Sequence, residues 1–546
     1  MKITVFYEEK EIRSLEHTGE YSRLKIEVPG HSGCMEIRFS LPILDMHGYW
    51  HSDLHAPSDK LHWQIECPYA GQRQFPYLCF LNSRQTNRCS IGLTNLTDDG
   101  RFYAKMNQEK CTYDLTITVV LHPETVDFEL ILDERAIPWT EALAEWRNAL
   151  PLPPCPEFPE GAWQPVFCTW YAVHAAVTQD WVEKNAEIAS ALGFKTLIID
   201  DGWCFDVMKR VSPETAPTWY EWIGDWDLSV EKFPDFENHR NRVQAMGMKY
   251  LFWTAPFLVG KKSEFIKRYP ASAHMPYDDG SYVIDGRNGE VMAAQLEKMK
   301  HVLRDYKLDG LKVDFLDVIL PDTEVPTGRA VMKFVRELAE TIRKVKPDAL
   351  IEFRQRYATP GMTAYGTQFR AGDVPFDFVD NFQRIGQIRI SMGDRIPVHA
   401  DPVYWHPQES PVNISRHMIA SLCGVPMLSM DLLTISETEK KIIRHWLKFY
   451  EEHLPAFRDG KWHVAYFQSN TTYMSVTGNG ETIIVLLDPA RLEEALEDAA
   501  GRITVLNLSE SDLNLPGAET GDGEGNPGKP GIIPPGGAGS LAKKNA

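Results

Sequence analysis

The chain has 546 residues, 43% of them hydrophobic, 24% charged and 11% aromatic, and carries a formal net charge of −19. That length suits two or three domains with substantial cores, and the composition is that of a folded soluble protein rather than a disordered or fibrous one. The acidic balance argues against nucleic acid or an anionic membrane surface as partner, because both are gripped by clustered Lys and Arg. No apolar run approaches the roughly 18 residues that span a bilayer. The opening stretch, Met1 to Lys10, lacks the apolar core of a secretory signal, so cytoplasmic residence is the expectation. Nine scattered cysteines without a Cys-x-x-Cys pair predict reduced thiols rather than disulfides or structural zinc.

In chain order, short alternating runs such as Leu24 to Val28 and Leu115 to Val120, separated by turn signals such as Pro29-Gly30, predict an amino-terminal antiparallel β-sandwich over 1–150. Pro151-Leu152-Pro153-Pro154-Cys155-Pro156 reads as a stiff linker. Beyond it, buried apolar strands alternate with amphipathic helices, the sign of a parallel sheet with crossover helices. Strands are predicted over 165–171, 195–201, 249–255, 310–316, 349–354, 366–372, 396–402 and 425–431, with helices over 180–192, 290–306, 327–345, 411–422 and 436–452. Eight such units over 151–455 predict an α/β fold with a central (β/α)8 TIM barrel rather than an open sheet. No Gly-x-Gly-x-x-Gly turn follows any of the strands, so no dinucleotide is implied. Trp462 to Tyr466 and Thr482 to Leu487 predict a small carboxy-terminal antiparallel β domain over 456–514. The Gly- and Pro-rich remainder, 515–546, is expected to be a disordered tail.

In such barrels the reactive residues stand at the carboxyl ends of the strands. Here those positions hold Trp170, Asp200, Asp201, Trp203, Trp253, Lys312, Asp314, Arg354, Gln355, Arg370, Asp373, Asp401 and Asp431. Carboxylates beside aromatic rings suit a sugar, whose hydroxyls need acceptors and whose C–H faces stack on rings. Hydrolysis with retention needs one ionised carboxylate as nucleophile and one carboxylic acid, roughly 5–5.5 Å apart. Lys312 and Asp314 share a strand face by period-two alternation, and the ammonium favours the ionised carboxylate, which suits a nucleophile. Asp373 follows the sixth strand on a loop, where negative charge from Asp314 is expected to raise its pKa for acid/base work.

Leu197 to Trp203, Gly224-Asp225-Trp226 with Phe233-Pro234, Gly247-Met248, Asp309 to Asp314 and Arg370 to Asp373 together resemble the ordered motifs of the retaining α-galactosidase clan, glycoside hydrolase families 36 and 27, over about 160–455. The resemblance implies Asp314 as nucleophile and Asp373 as acid/base. It also implies Asp200 and Asp201 as acceptors for the 4- and 6-hydroxyls, Lys312 and Arg370 as further ligands, and Trp170 and Trp226 as walls of the pocket. No metal or organic cofactor is implied. Two stretches depart from the family pattern. Trp253-Thr254-Ala255-Pro256-Phe257 replaces a Trp-x-Glu-Pro-like stretch, and Glu352-Phe353-Arg354-Gln355-Arg356-Tyr357 replaces a Cys-Ser-Gly-Gly-like loop. Arg354 and Arg356 are therefore weighed both as readers of an anionic substituent and as plain ion-pair partners.

The expectation is a retaining exo-α-glycosidase acting on a small oligosaccharide or glycoside, an α-galactoside first, by double displacement. Hydrolysis of another α-glycoside (an N-acetylgalactosaminide, a glucoside or an anionic sugar) and transglycosylation are the alternatives within the class. A non-catalytic sugar-binding protein is the alternative outside it. Metal binding by Asp200 and Asp201 is disfavoured because adjacent strand residues face opposite ways. His174, His399 and His406 read as packing or surface residues, and Asp377 and Asp380 compete with Asp373 through register. A homo-oligomer is left open.

Overall fold

Period-two alternation in the amino-terminal strands builds two antiparallel sheets, as seen in the computed structural model, which describes residues 1–277, 279–323 and 326–544. In Gly33–Pro42, Met35, Ile37, Phe39 and Leu41 turn inward while their neighbours face outward. That strand pairs with Thr112–Leu121 in a six-stranded sheet, and Phe128–Asp133 pairs with Asn87–Leu93 in a five-stranded one. Met35 and Ile37 of the first sheet share one core cluster with Phe80, Ile91 and Leu130 of the second, so the sheets pack face to face.

Eight parallel strands follow: β1 (Val166–Cys168), β2 (Thr196–Ile199), β3 (Lys249–Thr254), β4 (Gly310–Val313), β5 (Leu350–Arg354), β6 (Gln368–Arg370), β7 (Val398–His399) and β8 (Met427–Leu428). They pair in sequence order, β8 also pairs with β1, and isolated bridges from His399 to Val425 and from Val403 to Leu428 draw β7 and β8 together. The result is the nearly closed barrel that the apolar runs predict. The ladders are shorter than those runs because the chain leaves the barrel just before the polar residues. β2 ends at Ile199, one residue before Asp200, and β4 ends at Val313, one before Asp314.

Helices cover the barrel, and their starts follow ordinary capping chemistry. Thr178, Asn288, Asp377 and Ser410 accept amides at the starts of Gln179–Leu192, Gly289–Asp305, Phe378–Met392 and Pro411–Ser421. Ser436 and Glu439 form a reciprocal capping box on Glu437–Asp459. The helix Gly328–Val345 is different, because Thr327 at its start makes no side-chain cap bond. Its Thr327 and Gly328 amides donate instead to Asp99 of the sandwich, both at 2.9 Å, while Arg329 pairs with buried Asp98 at 2.8 Å. The sandwich therefore caps a barrel helix. Asp99→Ala strands both donors, and an expected loss of about 1–2 kcal/mol should appear as a lower thermal midpoint.

The carboxy-terminal sheet is mostly antiparallel, with one parallel pair between Glu481–Leu486 and Gly501–Asn507. The expectation of disorder from Leu515 onward does not hold. Ala538–Lys544 pairs with Gly501–Asn507 and with Glu519–Gly521, while Leu515 and Ile533 are buried in the domain core. Glycines there serve turns: Gly517, Gly525, Gly531 and Gly536 all take positive φ, which suits chain reversal between short strands. Asn545 and Ala546, the end of the expected tail, lie outside the described residues. Among the described residues no helix is long and apolar enough to cross a membrane.

Candidate active site

A cavity of about 580 Å³ opens at the carboxyl ends of the barrel strands. Trp170, Asp200, Trp253, Lys312, Asp314, Arg354, Gln355 and Asp373 all line it. Residues from the ends of β1 to β6 thus meet in one place.

Asp314 is held by donors on both oxygens. Its Oδ1 accepts from Arg354 Nε, from the Phe315 amide at 2.7 Å and from the Tyr357 hydroxyl at 3.4 Å, and among the described residues its Oδ2 accepts from Trp253 Nε1 alone, at 3.0 Å. Phe315 pays the conformational cost of this arrangement, with φ of 56° in the left-handed region that bulky residues avoid. Burial opposes ionisation of Asp314, but Arg354, Lys312 and Arg370 outweigh it and hold the carboxyl well below the usual range. Lys312 reaches Asp200 Oδ2 at 2.5 Å, and although burial disfavours its charge, Asp200 keeps it firmly protonated. Cys168 Sγ also contacts that carboxylate, at 3.3 Å.

Asp373 is tied to Arg370 Nη1 at 3.0 Å, and its side chain remains 58% exposed. The expected upward displacement of its pKa is not found. Burial and the charge of Asp314 do push it up, but Arg370, with Arg354 and Lys312 behind it, prevails and lowers it. The competing acids are otherwise engaged. Asp377 caps its helix through the Val379 and Asp380 amides at 3.0 and 2.9 Å, and Asp380 pairs with Arg384 at 3.0 Å and His55 at 3.3 Å.

Three expected site residues do not line the cavity. Asp201 is buried, accepting from Trp219 Nε1 at 2.7 Å, since it points away from its neighbour Asp200. Trp226 is fully buried behind Trp253, at 5.8 Å between ring centroids, with its Nε1 on Gln295. Arg370 is 2% exposed and lies beneath the wall among Asp373, Asp401 and Glu352. Arg354 and Arg356 are both engaged by carboxylates, Arg354 by Asp314 and Asp317 and Arg356 by Asp53 at 3.4 Å, and both line the cavity. His399 is a packing residue, with Nε2 on the Ala162 carbonyl at 2.7 Å.

The sandwich also reaches the cavity, which sequence reasoning missed. Ser52, Asp53, His55 and Phe75 line it alongside Tyr220, Phe315 and Asp317 of the barrel. No local pattern marks these amino-terminal residues, because only the packing of sandwich on barrel brings them there. Tyr220 stacks on Trp253 at 5.7 Å, extending the aromatic wall.

Residues 159–460 match the model of the Melibiase family, so the chain belongs to that family. Among curated relatives, it is 23% identical over 314 residues to the bifunctional alpha-galactosidase/sucrose kinase AgaSK of Mediterraneibacter gnavus, covering 54% of this chain and 31% of that one. It is 21% identical over 309 residues to alpha-galactosidase AgaA of Geobacillus stearothermophilus, covering 52% and 40%. The match thus spans about a third to two fifths of these relatives' length. The solved structure of GH36 alpha-galactosidase AgaA superposes with a TM-score of 0.67 over 88% of this chain and 72% of that chain at 14% identity, which shows a shared fold.

Proposed function

We propose that the chain is a retaining exo-α-glycosidase with an α-galactoside as its leading substrate. One observation carries the reading: Asp314 and Asp373, from the ends of β4 and β6, open into one cavity walled by Trp170 and Trp253 in a Melibiase-family chain. In this reading Asp314 Oδ2, which accepts a hydrogen bond from Trp253 Nε1, attacks the anomeric carbon as Asp373 gives a proton to the departing oxygen. A β-glycosyl aspartate forms. Asp373, now ionised, takes a proton from water, which attacks the same carbon, expels Asp314 and restores the α configuration. Lys312 and Asp200 supply a donor and acceptors for sugar hydroxyls, and the indole walls take the C–H face. Between the proposed catalytic carboxylates, proton and charge are accounted for without a cofactor. The free cysteines support a reducing, cytoplasmic setting.

The test is a panel of aryl α-glycosides with the first product followed by NMR. α-Galactose as the first-formed anomer, with slower turnover of glucosides and N-acetylgalactosaminides, is expected. Binding of galactose without turnover of any α-glycoside makes it a sugar-binding protein, and β-galactose as the first product removes the retaining mechanism.

A further inference from the structure

Asp401, just beyond β7, is wholly buried, and its side chain reaches both Arg370, the partner of Asp373, and the loop that carries Asp373. Its backbone is clamped to the helix Phe378–Met392, with its amide on Asn381 Oδ1 at 3.1 Å and its carbonyl on Asn381 Nδ2 at 3.0 Å. Its Oδ1 accepts from Arg370 Nη1, the same nitrogen that donates to Asp373 Oδ1 at 3.0 Å. Its Oδ2 accepts from the amide of Val374, the residue after Asp373, at 2.7 Å, and from the Tyr171 hydroxyl at 3.0 Å. One fixed carboxylate therefore holds both the cation that pairs with Asp373 and the backbone that carries it.

We propose that Asp401 is a positioning residue for Asp373, aiming its loop at the leaving-group oxygen and taking a share of Arg370 that would otherwise fall on Asp373. The inference rests on the acid/base reading of Asp373. The charged and titratable groups facing Asp373 are Arg370 from β6, Arg354 from β5, Lys312 and Asp314 from β4 and Tyr171 beyond β1, with Asp401 beyond β7. Burial pushes the Asp401 pKa up to about 7, and Asp401→Asn removes its ionised form altogether, leaving Arg370 to Asp373 and Glu352 with a larger share on Asp373. The acid then gives up its proton at lower pH, and its loop loses the Val374 anchor.

The experiment measures Asp401→Asn against two galactosides, one with a dinitrophenyl leaving group that needs no proton and one with an alkyl leaving group that does. The expected result is a fall in kcat/KM of about 100-fold on the alkyl substrate and under about threefold on the dinitrophenyl one. The alkaline limb of kcat should move down by roughly one pH unit, tenfold in the proton equilibrium. Tyr171→Phe removes a donor that favours the ionised form of Asp401, so Asp401 draws less on Arg370 and the limb should move down as well, by a smaller step. That variant decides the matter if Asp401→Asn fails to fold. Equal losses on both substrates with unmoved limbs, or no change at all, overturn the proposal. Equal losses on both substrates in Asp373→Ala would instead remove the acid/base reading itself.

Discussion

Asp314→Ala should abolish turnover, lowering kcat/KM by more than about 10⁴-fold, or on the order of 5 kcal/mol of transition-state stabilisation. The size of the effect follows from the part assigned to this carboxylate. It is the proposed bond-forming group, and among the described residues no other carboxylate is placed as Asp314 is, with Arg354 and Trp253 on its two oxygens. The substitution also vacates the space where Oδ2 stood, so added azide should enter, attack the anomeric carbon from that side and restore part of the rate. A β-galactosyl azide, identified by NMR, is the expected product. Undiminished turnover, or an α-azide, would refute the assignment. Because Arg354 would lose its main partner, the thermal midpoint should be measured alongside. Asp317, 3.6 Å from Nη2, remains to hold the guanidinium, so the variant is expected to fold.

Much of this arrangement is legible in the sequence because barrel strands are buried on both faces and read as unbroken apolar runs, such as Leu197-Ile198-Ile199 before Asp200. A polar residue at the end of such a run has nowhere to go but the rim, which is why Asp200, Lys312, Asp314 and Trp253 fall into one cavity. Where the reasoning fails, depth and distance are the reasons. Arg370 is the last residue of β6, and its long side chain folds back under the wall rather than into the opening. Trp226 follows a turn and takes φ of 56°, a conformation no spacing rule announces, and is buried as a second layer behind Trp253. Asp53 and His55 come from a different domain, and only their partners Arg356 and Asp380 reveal why they are there. The Gly- and Pro-rich end shows the same limit in reverse. Composition alone cannot tell a loose tail from tight turns joining strands whose pairing partner, Gly501–Asn507, is already formed.

Asp373→Ala should separate the two half-reactions that Asp314→Ala stops together. Substrates with alkyl or sugar leaving groups need a proton on the departing oxygen and are expected to slow by about 10³-fold, whereas a dinitrophenyl galactoside should form the glycosyl-enzyme at near the normal rate. With that substrate the second step becomes limiting, because no base remains to activate water. A burst of phenol followed by a slow steady state is therefore expected, and azide, which needs no base, should raise the steady rate. The pH profile gives a second check. In the free protein Arg370 lowers the Asp373 pKa, so the alkaline limb of kcat/KM, which reports the free protein, should lie on the acidic side. A bound sugar covers the exposed face of Asp373 and strips its water, which favours the neutral acid, so the limb of kcat should stand at higher pH than that of kcat/KM. In Asp373→Ala the alkaline limb should vanish from the residual turnover of the alkyl substrate, the one that needs the proton. Persistence of the same alkaline limb in that variant would assign it to another group and leave Asp373 without the role.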